Sequence, residues 1–357
     1  MNLYEFLSTP DEMARKRGLH DHVVLSSRVR LARNLQGRAF PGRAKKNDRV
    51  ETCELITGQV GSLASMRGGY VESMANLQAL DKQLLVERHY ISREHAAKSA
   101  GSGLALSKDE SISIMINEED HLRMQAILPG LQLKEVWQKV DRVDTSLERK
   151  VPYAFHDRLG YLTACPTNLG TGIRVSAMLH LPGLVLQEQI NQIIQAVTKL
   201  GHTVRGLYGE GTEALGHIFQ VSNQMTLGES ESDIVERISK VLLQIIEHEE
   251  NARQTLLKGK TTELHNFLGR AFGVLAHARI INSKESMNQL SMMRLGAGLG
   301  LFPTIPMAAL DEMFLVSQPA HLQHLLGSKY SAEERDVHRA NLLRERLSPV
   351  EGLRIPE

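Results

Sequence analysis

The 357-residue sequence has few cysteines and no long apolar run. Its two cysteines, Cys53 and Cys165, cannot form a disulfide framework, which excludes a disulfide-stapled secreted scaffold and is typical of a reducing cytosol. No segment approaches the roughly 18 apolar residues of a membrane span. Residues 1–18 carry acidic side chains and no apolar core, unlike a signal peptide. We therefore expect a soluble, cytoplasmic protein.

The sequence also lacks an excess of charge of one sign. Its formal net charge is +1 at pH 7, so no global charge favours nucleic acid or an acidic membrane as a partner. Basic side chains concentrate locally between Arg28 and Lys46, where acidic residues are missing. Such a stretch indicates an anion site. We expect neither direct nucleic-acid binding nor membrane association.

Patterning places strands early in the chain and helices late. Period-two alternation predicts strands over residues 23–34, 111–117 and 122–126, the last two forming a hairpin around the acidic turn 118–120. Further strands are predicted within residues 161–172, 202–209 and 217–224. Helical spacing predicts helices over residues 50–87, 131–148, 185–200, 232–257, 261–278, 284–294, 305–316 and 332–347.

This asymmetric layout predicts an α+β protein. Apolar residues make up 42% of the chain, enough for a substantial core, and its length suits one large or two ordinary domains. We expect an antiparallel sheet flanked by helices in residues 1–257 and an all-helical domain in residues 258–357. The boundary falls at the polar, glycine-containing junction 258–262.

Arginines are prominent in the predicted strands and loops. Arg28 and Arg30 lie two residues apart on a strand and should share a face. Arg123 follows the hairpin turn, Arg174 follows a glycine-rich loop, and Arg205 lies within a strand. Guanidinium groups bind phosphate oxygens bidentately, so converging arginines would form a polyphosphate site. Spacing alone also allows surface arginines with scattered partners, which is the more common case.

Two carboxylates and one thiol are candidates for catalysis. Glu119 lies in the tight polar turn NEED (117–120), and Glu210 lies between two glycines after a strand. Such carboxylates could bind a cation or deprotonate a substrate, or they could be ordinary turn residues. Cys165, before Pro166, is either a packed core residue or a reactive thiolate beside a positive charge.

Several common site motifs are missing. The segment TNLGTG (167–172) allows close approach of a ligand to the backbone, but no GK[ST] follows, so it is no Walker A loop. His89, His95, His121 and His156 form neither HxxxH nor HExxH. We therefore expect no protein-bound metal site.

Four separated motifs resemble the phosphagen kinases, the family of creatine and arginine kinases. CPTNLGTGIR (165–174) is similar to the family signature, and LSSRVRLARN (25–34) to its early nucleotide-binding segment. NEEDHLR (117–123) resembles its acidic loop, and RGLYGEG (205–211) its late ATP-binding segment. The resemblance covers roughly residues 20–250 and implies a glutamine-synthetase-like catalytic fold that uses ATP and Mg²⁺.

The resemblance also implies roles for residues at matching positions. Glu119 and Glu210 should grip the substrate guanidinium, with Glu119 as the base, and Cys165 should contact it as a thiolate. The ATP site should comprise Ser26, Ser27, Arg28, Val29, Arg30, His89, Arg123, Arg174, Val175, Ser176, Ala177, Met178, Arg205, Gly206, Leu207, Tyr208 and Gly209.

One departure from the phosphagen pattern points to a particular branch. Small-molecule phosphagen kinases carry about a hundred helical residues before the segment that matches Ser26, and this sequence instead carries them after the catalytic region. That layout resembles the bacterial protein arginine kinases. Their phosphoarginine-binding RDxxRA motif matches Arg335, Asp336, Val337, His338, Arg339 and Ala340. Two arginines can bind a phosphate and an aspartate the guanidinium, although a solvated charged helix is the alternative.

The resemblance implies a homodimeric ATP-dependent kinase of exposed arginines in other proteins, which marks them for a Clp-type protease and regulates the heat-shock response. Expected partners are a zinc-binding activator protein, a Clp ATPase and a heat-shock repressor. Two alternatives stay open: a kinase for a free guanidino metabolite, and a catalytically silent adaptor for a protease.

Overall fold

The computed structural model describes residues 2–206 and 214–354. Its ten strands are β1 (Val24–Arg33), β2 (Tyr70–Ser73), β3 (Gly103–Leu106), β4 (Ile112–Ile116), β5 (Leu122–Pro129), β6 (Phe155–His156), β7 (Gly160–Tyr161), β8 (Ile173–His180), β9 (His202–Gly206) and β10 (Ile218–Asn223). Eight of them form one sheet in the order β2-β3-β4-β5-β1-β8-β10-β9, and β6 pairs only with β7. All neighbours are antiparallel, as predicted.

Fourteen α-helices surround or follow this sheet in the described ranges. They are α1 (Leu3–Phe6), α2 (Pro10–Arg15), α3 (Lys46–Gly61), α4 (Ala79–Glu87), α5 (Arg93–Ala96), α6 (Leu133–Glu148), α7 (Pro182–Leu186), α8 (Ile190–Lys199), α9 (Glu231–Gly259), α10 (Thr261–His277), α11 (Ser283–Gly298), α12 (Met307–Val316), α13 (Pro319–Leu326) and α14 (Ala332–Leu347). None of these helices is long and apolar enough to cross a membrane.

Alternation along β1 divides the sheet into an apolar and a polar face. Val29 and Leu31 are fully buried, whereas Arg28 and Arg30 between them point to the other side. The apolar face is covered by α6, α8 and α9, whose inward side chains join those of the central strands in one large core. The polar face is therefore left to build the site.

The helical region has a core of its own. Its apolar cluster runs from Leu256 to Leu347, while the cluster of the sheet ends at Ala252. Local sequence fixes the helix starts: the Ser230 hydroxyl accepts from Asp233 N, and Ser331 with Glu334 forms a capping box. The two clusters divide between Ala252 and Leu256, within α9, and the domain boundary between residues 257 and 258 stays a prediction.

Several predicted elements are wrong in detail. The segment 161–172 was expected to be a strand entering a loop, but the strand β8 begins only at Ile173. Pro166 lacks an N–H donor, and Gly170 (φ +108°) and Gly172 (φ +65°) adopt backbone conformations that interrupt a ladder. A Cβ at Gly172 would lie 2.6 Å from Ala32 O, so the loop packs directly on β1.

Other discrepancies concern segments that were each predicted as a single helix. Strand β2 lies inside the segment 50–87, which alternation did not single out. The predicted helix 185–200 is two helices, α7 and α8, separated at Glu188, whose φ is +58°. Helix α13 was not predicted at all.

Candidate active site

Strand register brings the arginines of β1 and β8 onto the polar face. Arg30 lies directly opposite Arg174, and Arg28 lies opposite Ser176. Because directly paired residues and residues two apart share a face, all four side chains point the same way. The prediction that Arg28 and Arg30 share a face is confirmed.

The outer strands extend this set to five arginines. Arg123 of β5 pairs with Ala32 of β1, and Arg205 of β9 pairs with Gln220 of β10. Both pairings place the arginine on the polar face, because Ala32 follows Arg30 by two residues and Gln220 pairs with Met178. We call Arg28, Arg30, Arg123, Arg174 and Arg205 the arginine face.

The arginine face carries little negative charge of its own. Arg28 donates to Gln220 Oε1 at 2.8 Å and Arg174 to Ser222 Oγ at 3.3 Å, both neutral acceptors. Within residues 2–206 and 214–354, only Arg123 of this set has a carboxylate partner, Glu118 at 2.8 Å.

Burial and mutual repulsion lower the pKa values of three of these arginines. The Arg30 Nε is buried without a hydrogen-bond partner among the described residues. Burial, then Arg28, Arg123 and Arg174, lower the pKa of Arg30 well below its usual value. Burial and neighbouring arginines also lower the pKa of Arg28 to about 10 and that of Arg174. Such a face is complete only with a polyanion.

Not every predicted ATP-site side chain faces this surface. Ser27 is buried on the opposite side, where its hydroxyl donates to Gly130 O at 2.7 Å and accepts from Gln132 N at 2.9 Å at the start of α6. Val29, Val175 and Ala177 are buried in the sheet core. These four could contribute only their backbone to a ligand, while Ser26, Ser176 and Met178 lie on the polar face.

His89 approaches the arginine face from the end of α4. It has a φ of +62°, and its carbonyl accepts from Gln125 Nε2 at 2.7 Å. Burial and then the charge of Arg28 lower the pKa of its ring to about 4. His89 is therefore a neutral neighbour of the arginines at pH 7.

The acidic turn between β4 and β5 presents Glu119 beside the arginine face. Glu119 is exposed, whereas Glu118 is buried and accepts from Ser92 Oγ at 2.6 Å. Burial alone would raise the pKa of Glu118, but Arg123 and the Ser92 bond outweigh it and lower that pKa. Burial, then Asp120 and Glu118, raise the pKa of Glu119. Glu119 is thus the more basic of the two carboxylates.

Asp120 links this turn to the segment that carries the thiol. One of its oxygens accepts from Ala164 N at 2.6 Å and from Asn34 Nδ2 at 2.6 Å. Cys165 follows Ala164, and its Sγ lies 2.9 Å from Thr167 Oγ1. Sequence reasoning missed Asp120 as a positioning residue. Its position inside the acidic motif was a signal, but its partners are distant in sequence.

Cys165 is half-buried, not packed in the core. Burial, Arg205 and Arg123 lower the pKa of Arg174, whereas Cys165 raises it. The thiol therefore lies within electrostatic reach of the arginine face. A cleft of about 1050 Å³ opens beside it, lined by Phe40, Glu94, Lys98, Glu118, Glu119, Arg123 and Thr163 among others. This cleft is large enough for a side chain delivered by another protein.

Part of the predicted site lies outside the described residues. Leu207, Tyr208, Gly209 and Glu210 belong to that gap, and Gly206 is the last described residue of β9. Within residues 2–206 and 214–354, no three His, Cys, Asp or Glu side chains gather in a way that could hold a metal ion. A Mg²⁺ ion suited to this surface would have to bring most of its ligands with a nucleotide.

The RDVHRA segment lies on α14, away from the arginine face. Arg339 is buried and donates to Ser317 O at 2.7 Å, to Ile281 O at 3.0 Å and to Asp336. Arg335 is half-buried and donates to Tyr330 O at 3.2 Å. Arg339 therefore joins α14 to the segment before α11 and to the end of α12.

The rest of that segment is divided between surface and interior. Val337 is exposed and Ala340 is buried. The His338 ring lies 4.4 Å from that of Tyr330, centroid to centroid. Arg335, Asp336 and His338 are half-buried, so a ligand could reach them with little rearrangement of the protein.

Two family models match this chain. Residues 52–252 match the ATP:guanido phosphotransferase C-terminal catalytic domain, and residues 261–356 match the protein-arginine kinase McsB C-terminal domain. Among similar proteins, the protein-arginine kinase of Brevibacillus brevis is 44% identical over 99% of each chain. That of Syntrophomonas wolfei is 46% identical over 92% of each chain.

Similar solved structures include a lombricine kinase and a taurocyamine kinase. A lombricine kinase is 26% identical with a TM-score of 0.58, over 71% of this chain and 72% of that one. The duplicated taurocyamine kinase of Schistosoma mansoni has a TM-score of 0.60 at 22% identity, over 92% of this chain and 51% of that one. The observed sheet and helices agree with that architecture.

Proposed function

This chain belongs to the ATP:guanido phosphotransferase family and, within it, to the protein-arginine kinases, and from this premise we propose how it acts. The γ-phosphoryl group of ATP passes to exposed arginine side chains of other proteins. The modified proteins are thereby marked for a Clp-type protease, and modification of a heat-shock repressor regulates the stress response.

The observation that carries the catalytic part is the arginine face itself. Gathering half-buried cations with Glu118 as the one carboxylate partner among the described residues is costly, so a bound polyanion would stabilise the arrangement. Arg28, Arg30, Arg123, Arg174 and Arg205 present their donors from four strands of one sheet, which suits a triphosphate. Bound Mg²⁺, held mainly by the phosphates, would further neutralise charge on the transferring group.

Glu119 is the proposed base. A free guanidinium has a pKa above about 12 and is a poor nucleophile until it gives up a proton. As the N–P bond forms and the bond between the γ-phosphorus and the bridging oxygen breaks, that proton passes to the Glu119 carboxylate. Glu210, in the segment not described, is proposed as the second carboxylate that orients the guanidinium, with the Cys165 thiolate beside it.

A panel of acceptors tests this function against its two alternatives. Labelled ATP with Mg²⁺ is offered with an arginine-rich unfolded protein, with free arginine and with free creatine. Transfer to the protein alone supports the protein kinase. Transfer to a free compound favours the metabolite kinase, and no transfer by folded, ATP-binding protein favours an adaptor or a requirement for a zinc-binding activator.

We place phosphoarginine recognition on α14 and dimerisation in the helical region. Arg335 would bind the phosphate and Asp336 the guanidinium, since both are half-buried at the surface. Free phosphoarginine should bind the wild type and bind Arg335→Gln at least about tenfold more weakly. The matched control is Arg270→Gln, on an exposed position of α10. Equal affinity of the two variants for phosphoarginine would contradict the assignment of this site to α14.

The link to proteolysis is tested separately from catalysis. A substrate protein phosphorylated by this chain is mixed with a Clp ATPase and its protease, beside the same protein left unphosphorylated. Degradation of the phosphorylated form alone is the expected result. Equal degradation of both forms would contradict the marking role while leaving the kinase activity in place.

A further inference from the structure

A groove of about 420 Å³ lies beside the small sheet formed by β6 and β7. Its apolar side chains are Phe155 of β6, Tyr161 of β7 and Leu227. Phe155 is 56% exposed and Leu227 is 48% exposed, and the rings of Phe155 and Tyr161 pack edge to face with centroids 5.3 Å apart. Single exposed apolar side chains are common, but several that line one depression indicate a binding surface.

Closely packed backbone forms the rest of the groove. Gly160 and Gly170 line it, and a Cβ at Gly160 would lie 2.4 Å from Gly170 O. Tyr161 N donates to Gly170 O at 2.8 Å, and Thr171 N donates to Thr226 O at 3.0 Å. Three chain segments are therefore held in contact in the absence of a ligand. A preformed groove of this kind loses little conformational entropy when a ligand binds.

The charged residues that line the groove, Glu229 and Glu231, are both acidic. Glu231 accepts from Trp137 Nε1 at 2.9 Å and contacts Arg33 at 3.3 Å, and Glu229 pairs with Arg237. The second oxygen of Glu229, Oε2, is buried and has no hydrogen-bond partner in residues 2–206 and 214–354. No Lys or Arg of these ranges lines the groove. A complementary ligand is apolar and neutral or basic, and not acidic.

One short segment joins this groove to the catalytic cleft. Gly160 and Tyr161 line the groove, whereas Thr163 and Ala164 line the cleft and immediately precede Cys165. Because consecutive Cα atoms are about 3.8 Å apart, the Cα atoms of Tyr161 and Thr163 are separated by at most about 8 Å. An extended polypeptide rises about 3.3 Å per residue, so a chain with its arginine in the cleft reaches the groove within about two to five residues.

The size of the groove favours side chains of an extended polypeptide over a folded partner. Its volume lies near the lower end of the roughly 300–1,000 Å³ that small-ligand sites occupy. A stable interface between folded proteins buries roughly 800 Å² on each partner, which is far more than one or two side chains can supply. The continuity with the cleft indicates that the polypeptide is the one whose arginine is modified.

We infer that the groove binds an apolar segment of the protein substrate next to the target arginine, so that the kinase selects arginines in exposed apolar sequence. The inference rests on the proposed transfer of phosphoryl groups to protein arginines. Phe155 and Leu227 are then specificity-determining residues that lie outside the phosphoryl-transfer site. Unfolded proteins expose apolar sequence that folded proteins mostly bury, so the groove favours unfolded proteins as substrates.

Two fluorescent peptides test the groove directly. Each carries one arginine, flanked on both sides by phenylalanine and leucine in one peptide and by serine in the other. By fluorescence anisotropy the wild type should bind the apolar peptide at least about tenfold more tightly, and it should phosphorylate that peptide with a lower KM. Phe155→Ser and Leu227→Ser should each reduce this preference to about threefold or less. Leu243→Ser, at an exposed position of α9, is the matched control and should keep it.

Phosphorylation of the serine peptide at the wild-type rate shows that the variants are folded. Equal affinity of the wild type for the two peptides, or an undiminished preference in both groove variants, would overturn the inference. Preferential binding of the apolar peptide without transfer of a phosphoryl group to it would instead contradict the proposed function and leave the groove in place. Binding and transfer measured on the same peptides therefore distinguish the two failures.

Discussion

Two groups of arginines in this molecule, one buried and one half-buried, lie in opposite electrostatic environments. Arg33 of β1 contacts Asp144 at 2.6 Å and Glu231 at 3.3 Å and lies over the ring of Tyr161. Arg30, three residues earlier on the same strand, has no carboxylate partner among the described residues. Burial alone would lower the pKa of Arg33, but its carboxylates outweigh that and raise it, whereas the pKa of Arg30 is lowered.

The difference teaches how to read a buried charge. A cation surrounded by carboxylates and carbonyls is already satisfied and stabilises the fold, as Arg253 does with Glu249 at 2.6 Å. A cation surrounded by other cations is satisfied only by a ligand. The first kind belongs to architecture and the second kind to the proposed nucleotide site.

Removing one member of the arginine face tests this distinction most strongly. We expect Arg30→Gln to lower phosphotransfer by about 10³-fold or more, because charge stabilisation of the transferring group is lost. The apo protein should keep or gain thermal stability, because a repulsive neighbour has gone. Initial rates and thermal unfolding of the same preparation measure both quantities, and a large loss of stability would contradict the contrast.

The complementary change removes an arginine of the other kind. Arg33→Gln leaves the buried Asp144 and the half-buried Glu231 without their cation, so we expect the free energy of unfolding to fall by about 3–5 kcal/mol. Denaturant unfolding measures this directly. Arg38→Gln, at a half-exposed bridge to the exposed Glu51, is the control and should change stability by about 1 kcal/mol or less. A similar loss of stability in Arg33→Gln and Arg38→Gln would contradict the comparison.

Glu119 tests the comparison through a carboxylate instead of an arginine. Glu119→Gln should lower the transfer rate by about 10²-fold or more, since the proton acceptor is lost. Its pKa is raised, and only the carboxylate form accepts a proton, so the wild-type rate should fall as pH drops through that raised value. The variant should lack this acid limb, while the exposed Glu54→Gln should keep it. An unchanged acid limb in Glu119→Gln would assign the proton elsewhere.

Buried histidines extend the comparison to pH. The neutral His121 accepts from Leu35 N at 3.1 Å, and burial lowers its pKa to about 4. The unfolded chain binds this proton below about pH 6.5 and the folded chain does not. Stability should therefore fall as pH drops from about 6.5 to 4, by about 1.4 kcal/mol per pH unit for this group.

Unfolding at several pH values measures that slope. His121→Gln should reduce it, and His248→Gln, at an exposed position of α9, should leave it unchanged. An equal slope in the wild type and in His121→Gln would show that this histidine does not control acid stability.

The sequence predicted the central hairpin and the shared face of Arg28 and Arg30 because alternation is a local signal. It did not predict β8, whose start follows two glycines in close contacts: Gly172 packs against β1 and Gly170 against Thr226 and Leu227. The role of Asp120 was equally hidden, since its partners Asn34 and Ala164 become neighbours only in the folded sheet. The cavity that Phe314 and Leu315 line together with Ser26 and Met178 depends on packing between distant regions, which no local pattern encodes.

The chemical nature of the transferred label tests the central claim most directly. Labelled ATP is incubated with an arginine-rich unfolded protein and with the wild type, Arg30→Gln or Arg270→Gln, and the product is treated with acid. The account predicts acid-labile label, as for a P–N bond, with the wild type and Arg270→Gln and almost none with Arg30→Gln. Acid-stable label, as on a hydroxyl group, or full transfer by Arg30→Gln would contradict it.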